Sequence, residues 1–93
     1  MKKKIWPLTF DEAVKRVIAT LTEADKVEIL KFPKKDLVLL HMSMGMKIRN
    51  DFGLHQGNDA LMRACGTMDA DAVSTDIVEA VWKRLKAELG RSI

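Results

Sequence analysis

His41 and Ser43 are the first residues in this chain that could do covalent chemistry together, a base two positions from a hydroxyl. Their spacing works against it. Two residues apart on a helix, side chains point about 200° away from each other, so the imidazole cannot take the hydroxyl proton. Asp36 is poorly placed to orient His41, and Ser43-Met44-Gly45 lacks the first glycine and the strand-to-helix turn of a nucleophile elbow. Metal binding needs three or four convergent ligands, whereas His41, His55 and Cys65 are scattered without paired spacing. Asp69-Ala70-Asp71 lacks the third acid, the glycine and the distant glutamate of a calcium loop. Cys65, beside Gly66, reads as a small buried hydrophobe rather than a nucleophile. No catalytic residue, metal ligand or cofactor site follows, and an enzyme is not expected.

The densest polar cluster beside apolar sequence is Arg49-Asn50-Asp51, followed by Phe52. A planar guanidinium could clamp a carboxylate or phosphate with Asn50 orienting the ligand. One arginine without clustered cations makes a poor anion site, however. A strut is the better reading, with Arg49 near a helix C-terminus and paired to Asp51, Asp69 or Asp71. Trp6 and Trp82 are large enough to anchor an interface, and Trp82 is expected at the edge of its helix's stripe. Met42, Met44, Met46, Met62 and Met68 could line an adaptable groove, but they point in several directions and gap-filling in a core is the expectation.

These residues need a scaffold, and composition allows one. The chain has 93 residues, 47% hydrophobic and 31% charged, which suits one globular core. The formal charge of +3 belongs to Lys2, Lys3 and Lys4: without them 16 − 3 = 13 cations face 13 anions. A neutral body disfavours non-specific nucleic-acid binding. The segment from Ala64 to Thr75 has a helix-turn-helix look, but Asp69, Asp71 and Asp76 would repel a phosphate backbone. One cysteine excludes an intrachain disulfide, and no apolar run is long enough to cross a bilayer as a helix. A cytoplasmic chain without membrane attachment is expected, with residues 1–6 as a flexible basic tail on a single domain spanning 1–93.

Thr9 and Glu12 form a capping box opening a helix whose stripe is Phe10, Ala13, Val14, Val17, Ile18 and Leu21. Thr22 and Asp25 open a shorter helix running through Lys31, with Val27, Leu30 and Phe32 inward, ended by Pro33. From Pro33 to about Asp51 apolar residues occupy nearly every angle, which predicts a helix enclosed on most sides at the centre of the fold. Gly53 supplies a left-handed C-terminal residue with Leu54 folding back. Asn58 caps a short helix stopped by Gly66, with Leu61, Met62 and Cys65 inward. The last helix runs from about Asp71 to Leu89 on a stripe of Val73, Ile77, Val78, Val81, Trp82, Leu85 and Leu89. The sum is an all-α compact bundle of about five helices.

Gly45-Met46-Lys47-Ile48-Arg49-Asn50-Asp51-Phe52-Gly53-Leu54 resembles a segment of a family of small bacterial domains of unknown function. Its members are similar in a Pro-x-Thr start like Pro7-Leu8-Thr9, a G-x-x-I-R-x-x-F-G-L stretch ending a central helix, and an Asn-x-x-Leu element like Asn58 to Leu61. Where the resemblance implies tryptophan after Gly-Leu, this chain has His55. The resemblance implies an architecture and no chemistry. By elimination, a non-enzymatic protein-interaction module of immunity or regulatory type is expected, acting on a protein partner or as a homodimer. The alternatives are a nucleic-acid accessory domain using Lys2 to Lys4 with Lys31, Lys34 and Lys35, and an apolar-ligand binder using the methionines.

Overall fold

The computed structural model describes residues 6–90, with side chains through residue 88; residues 1–5 of the basic tail expected at 1–6, and Leu89 of the expected stripe, lie outside what is described. Among the described residues there are five α-helices and no strand: α1 (Phe10–Thr20), α2 (Glu23–Leu30), α3 (Leu37–Asp51), α4 (Asp59–Ala64) and α5 (Ala70–Gly90). A single 3-10 turn, Lys34–Asp36, leads from Pro33 into α3. The all-α bundle is therefore the observed fold.

Local chemistry sets most of the helix ends. The Thr9 hydroxyl accepts from the Glu12 amide, and Glu12 returns a carboxylate to the Leu8 amide rather than to that of Thr9. At α2 the box closes fully: Thr22 Oγ1 accepts from the Asp25 amide and Asp25 Oδ2 from the Thr22 amide, both at 3.0 Å. α3 ends in a Schellman turn. Gly53 takes φ +66, so the Leu54 amide reaches the Arg49 carbonyl at 3.0 Å and Leu54 is buried. Gly66, at φ +78, ends α4 in the same manner, with the Thr67 amide donating to the Met62 carbonyl. Asp69 Oδ1 accepts from the Asp71 amide and caps α5.

The centre of the bundle is α5, not α3. Val73, Ile77, Val78, Val81 and Leu85 are essentially sealed, and α1, α2 and α3 all pack against this helix. α1 buries Ala13, Val14 and Val17 along the expected stripe. On α2 the inward residue is Ile29, while Val27 faces solvent and Leu30 and Phe32 are half-buried, so its stripe is rotated from the expected one. Trp82, expected at the margin, is buried, and its indole Nε1 donates to the Phe32 carbonyl at 2.8 Å, tying α5 to the α2–α3 connection. Lys86 lies 4.8 Å over the same ring.

Expected to be wrapped, α3 is covered on one side only. Leu40, Gly45 and Ile48 are buried, but Val38, Leu39, Met42 and Met46 are 60%, 53%, 70% and 61% exposed. Of the five methionines expected as core filling, Met62 is buried and Met44 half-buried, while Met42, Met46 and Met68 face solvent. A helix apolar at every angle carries no signal of which side turns inward. That choice is made by polar groups.

Candidate interaction surface and the polar seam behind it

His41, Gly45 and Arg49 fall at i, i+4 and i+8, one row along α3. The row faces Asp71, Ser74 and Thr75 of α5. His41 Nε2 lies 3.1 Å from Ser74 Oγ and 2.9 Å from Thr75 Oγ1. Arg49 Nη1 donates to Ser74 Oγ at 3.1 Å and pairs with Asp71 Oδ1 at 3.0 Å. Gly45 makes the row possible: a Cβ there would stand 2.7 Å from the His41 ring and 3.2 Å from Arg49 Nη1. The missing side chain lets the two polar groups lean together.

The hydrogens can be assigned. Ser74 and Thr75 both donate to the Asp71 carbonyl, at 3.0 and 2.7 Å, so neither has a proton left for His41. His41 Nε2 therefore carries its own hydrogen and shares it between the two hydroxyl oxygens. A serine whose proton is committed to a backbone carbonyl, inside a fully buried residue, is not presented to a base. Chemically, the arrangement fixes the rotation and depth of α3 against α5.

The consequence lies one residue further round. Val38, Met42 and Met46 are also at i, i+4 and i+8, displaced by about 100° from the seam row. With the seam row turned to α5, this row and Leu39 beside it must face solvent. Together they form an apolar ridge on the open side of α3. Lys34 and Lys35, both exposed, precede it by one turn, and among the described residues neither forms an ion pair.

The expected site residues scatter around this picture. Arg49, expected as a strut, has its side chain 19% exposed, and of its three expected partners it pairs with Asp71. Asp51 pairs instead with Lys47 at 2.8 Å, and Asn50 is exposed. Phe52 is buried under the end of α3. Trp6, grouped with the tail by its position, is half-buried with its ring against Gly53, where a Cβ would fall into the indole. Asn58 does more than cap α4: its Oδ1 accepts from the Leu61 amide, and its Nδ2 donates to the Pro7 and Phe52 carbonyls at 3.0 and 2.8 Å. These contacts join the start of the chain, the end of α3 and the start of α4.

A family model described as a domain of unknown function (DUF6794) matches residues 6–85, which takes in all the elements just described up to the last turns of α5. The chain belongs to this family. No curated protein and no solved structure matches it. The DUF6794 domain thus owns the seam, the ridge and the Asn58 junction alike.

Two other features of the DUF6794 domain offer less. A cleft of about 540 Å³ separates α1 from α3, with Val17, Leu21, Met44, Ile48 and Phe52 among its walls. Its rim charges are matched within the chain: Lys47 with Asp51, Arg16 with Glu12, Asp25 with the Thr22 amide. Cys65 borders another depression with Asp76 and Lys83; burial first, and the Asp76 charge second, push its thiol above the ordinary value, so it is less nucleophilic at neutral pH than a free cysteine. No group of three His, Cys, Asp or Glu among the described residues could hold a metal ion, and no described helix is long and apolar enough to cross a membrane.

Proposed function

We propose that this DUF6794 domain is a non-enzymatic protein-interaction module that docks a partner protein through the solvent face of α3. The observation that carries this reading is the ridge of Val38, Leu39, Met42 and Met46, four large apolar side chains more than half exposed on one face of one helix. Single exposed hydrophobes are commonplace on soluble proteins; a contiguous row of them marks a contact surface. Methionine suits such a surface because its unbranched, polarisable side chain adapts to different partners. The seam supports the reading, since it holds α3 in one orientation from behind and leaves the ridge preorganised.

The rival readings have weaker support. Lys31, one of the cations a nucleic-acid surface would use, is paired with Glu28. The polar groups of the α1–α3 cleft are engaged within their own helices or helix caps, Lys47 with Asp51, Arg16 with Glu12 and Asp25 with the Thr22 amide, and a ligand would have to compete for them. A cytoplasmic, regulatory or immunity-type role in a bacterium fits a chain with one free cysteine and so no intrachain disulfide.

The test is a photo-reactive phenylalanine derivative placed at position 39 or 42, with a control at Lys15 on α1. Irradiated in the native cell, the α3 positions should each give the same discrete adduct and the control should give none. The captured protein, reconstituted with purified chain, should bind at least about tenfold more weakly to the Met42→Ser/Met46→Ser variant. Equal adducts at all three positions, or equal affinity for the variant, would remove the basis for this reading.

A further inference from the structure

Resting on that ridge reading, we infer that the partner element is an acidic amphipathic helix, not a second copy of this chain. Val38 and Met46 stand about 12 Å apart along α3, at roughly 1.5 Å per residue. A ridge of that length, one side chain wide with Leu39 beside it, matches the apolar stripe of two to three turns of a helix. It offers no broad flat face for a sheet or a globular surface.

Charge selects the kind of helix. Lys34 and Lys35 sit one turn before Val38 and Leu39, exposed and in no ion pair among the described residues, and with Asp36 beside them the turn keeps a net positive charge. At the other end the charges are already neutralised, Lys47 by Asp51 and Arg49 by Asp71. The ridge is therefore apolar along its length, cationic at its start and balanced at its end. A partner helix completes it by laying Leu, Ile or Met side chains at every third and fourth position on the ridge, with Asp or Glu in the turn that meets Lys34 and Lys35.

Self-association fails the same comparison. In a parallel pair of α3 helices, Lys34 and Lys35 of one copy meet Lys34 and Lys35 of the other, like against like. In an antiparallel pair they meet the Lys47–Asp51 and Arg49–Asp71 end, whose carboxylates are already engaged. In the parallel register Asp36, which follows Lys35 and is in no ion pair among the described residues, offers one carboxylate per copy against two lysines and leaves positive charge unbalanced; the antiparallel register offers carboxylates that are already engaged. An anionic lipid surface would supply the missing negative charge, but the chain without Lys2 to Lys4 has 13 cations and 13 anions and brings only these two unpaired lysines to the ridge.

The experiment uses the full chain and two fluorescein-labelled peptides of about 18 residues, long enough to form a helix on binding. Each carries leucine at alternating third and fourth positions on an alanine and glutamine background. One has glutamate in both terminal turns and its twin has lysine there. The wild-type chain should bind the glutamate peptide about tenfold more tightly, with the gap closing as salt is raised. Lys34→Glu/Lys35→Glu should invert the preference, and Met42→Ser/Met46→Ser should lose both peptides.

The failures are separable. If the lysine variant keeps the wild-type preference, the acidic partner is wrong and the ridge still stands. If the methionine variant binds both peptides as before, the ridge is wrong too. A dimer by light scattering that becomes monomeric in the methionine variant would make a second copy the occupant and overturn the inference. Binding to phosphatidylglycerol vesicles with the same dependence on both variants would overturn it in favour of a membrane surface.

Discussion

Arg49 and Asn58 are polar side chains that cross between elements, and they should respond differently to removal. Arg49 pairs with Asp71, whose side chain is 72% exposed, and shares Ser74 with His41. Truncating it lets Asp71 return to water and leaves Ser74 with its other partners. Arg49→Ala should therefore cost about 1–2 kcal/mol, and Arg49→Lys should recover part of it, because Ser74 and Asp71 are both reached from the single nitrogen Nη1 and a lysine ammonium also carries several donors. Asn58 is buried, and the carbonyls of Pro7 and Phe52 rely on its amide group. Asn58→Ala removes a cap and strands buried acceptors, so about 2–4 kcal/mol is expected. Asn58→Asp should be no rescue, since it keeps the cap acceptor but turns a carboxylate toward two carbonyl oxygens. Urea unfolding of the variants measures the order; Arg49→Ala as costly as Asn58→Ala would mean that the seam holds the polar interior together as firmly as the junction does. The sequence marked Asn58 as a cap because that role depends on neighbours along the chain, and Arg49 as a strut because a cation near a helix end stood with Asp51, Asp69 and Asp71 as candidate partners. It could not supply Ser74 for His41 or Pro7 for Asn58, which lie 33 and 51 residues away. A usable signal was nevertheless present in the row His41-Gly45-Arg49 at helical spacing, with the small residue in its middle.

At the scale of elements, the legible helices were those with one apolar face. The α1 stripe from Phe10 to Leu21 repeats at three and four, and only one rotation buries it. α3 has no such preference, so its orientation is set by a contact that local pattern does not contain, the seam to α5. This is why the helix expected at the centre lies at the side, and why Val38 and Leu39 were missed as surface residues while Gly53 was placed correctly. Gly53 also shows how an element's end can be fixed from outside. Its φ of +66 alone makes any other residue strained, and the Trp6 ring occupies the space that a side chain would take. Gly53→Ala should therefore cost more than the ~1 kcal/mol of a left-handed alanine. Combining it with Trp6→Ala separates the two causes. If the ring contributes, the double variant loses less than the sum of the single losses; strict additivity would assign the whole penalty to the backbone.

For the whole molecule, stability and recognition are carried by different helices, and that division can be measured. Ile77 and Val81 on α5 are fully enclosed, with α1, α2 and α3 around their helix. Ile77→Ala removes buried methylenes from a site hemmed in on all sides, and a loss of about 2–5 kcal/mol follows. That is a large share of the roughly 5–10 kcal/mol available to a domain this size. Met42 and Met46 differ: exposed for most of their surface, they exchange little water for protein when the chain folds. Met42→Ser/Met46→Ser should then shift the unfolding free energy by no more than about 0.5 kcal/mol. Were the ridge held against another part of this same chain, the double variant would unfold as readily as Ile77→Ala. A stable variant that has lost its partner, beside an Ile77 variant that has lost its stability, would place binding on α3 and folding on α5.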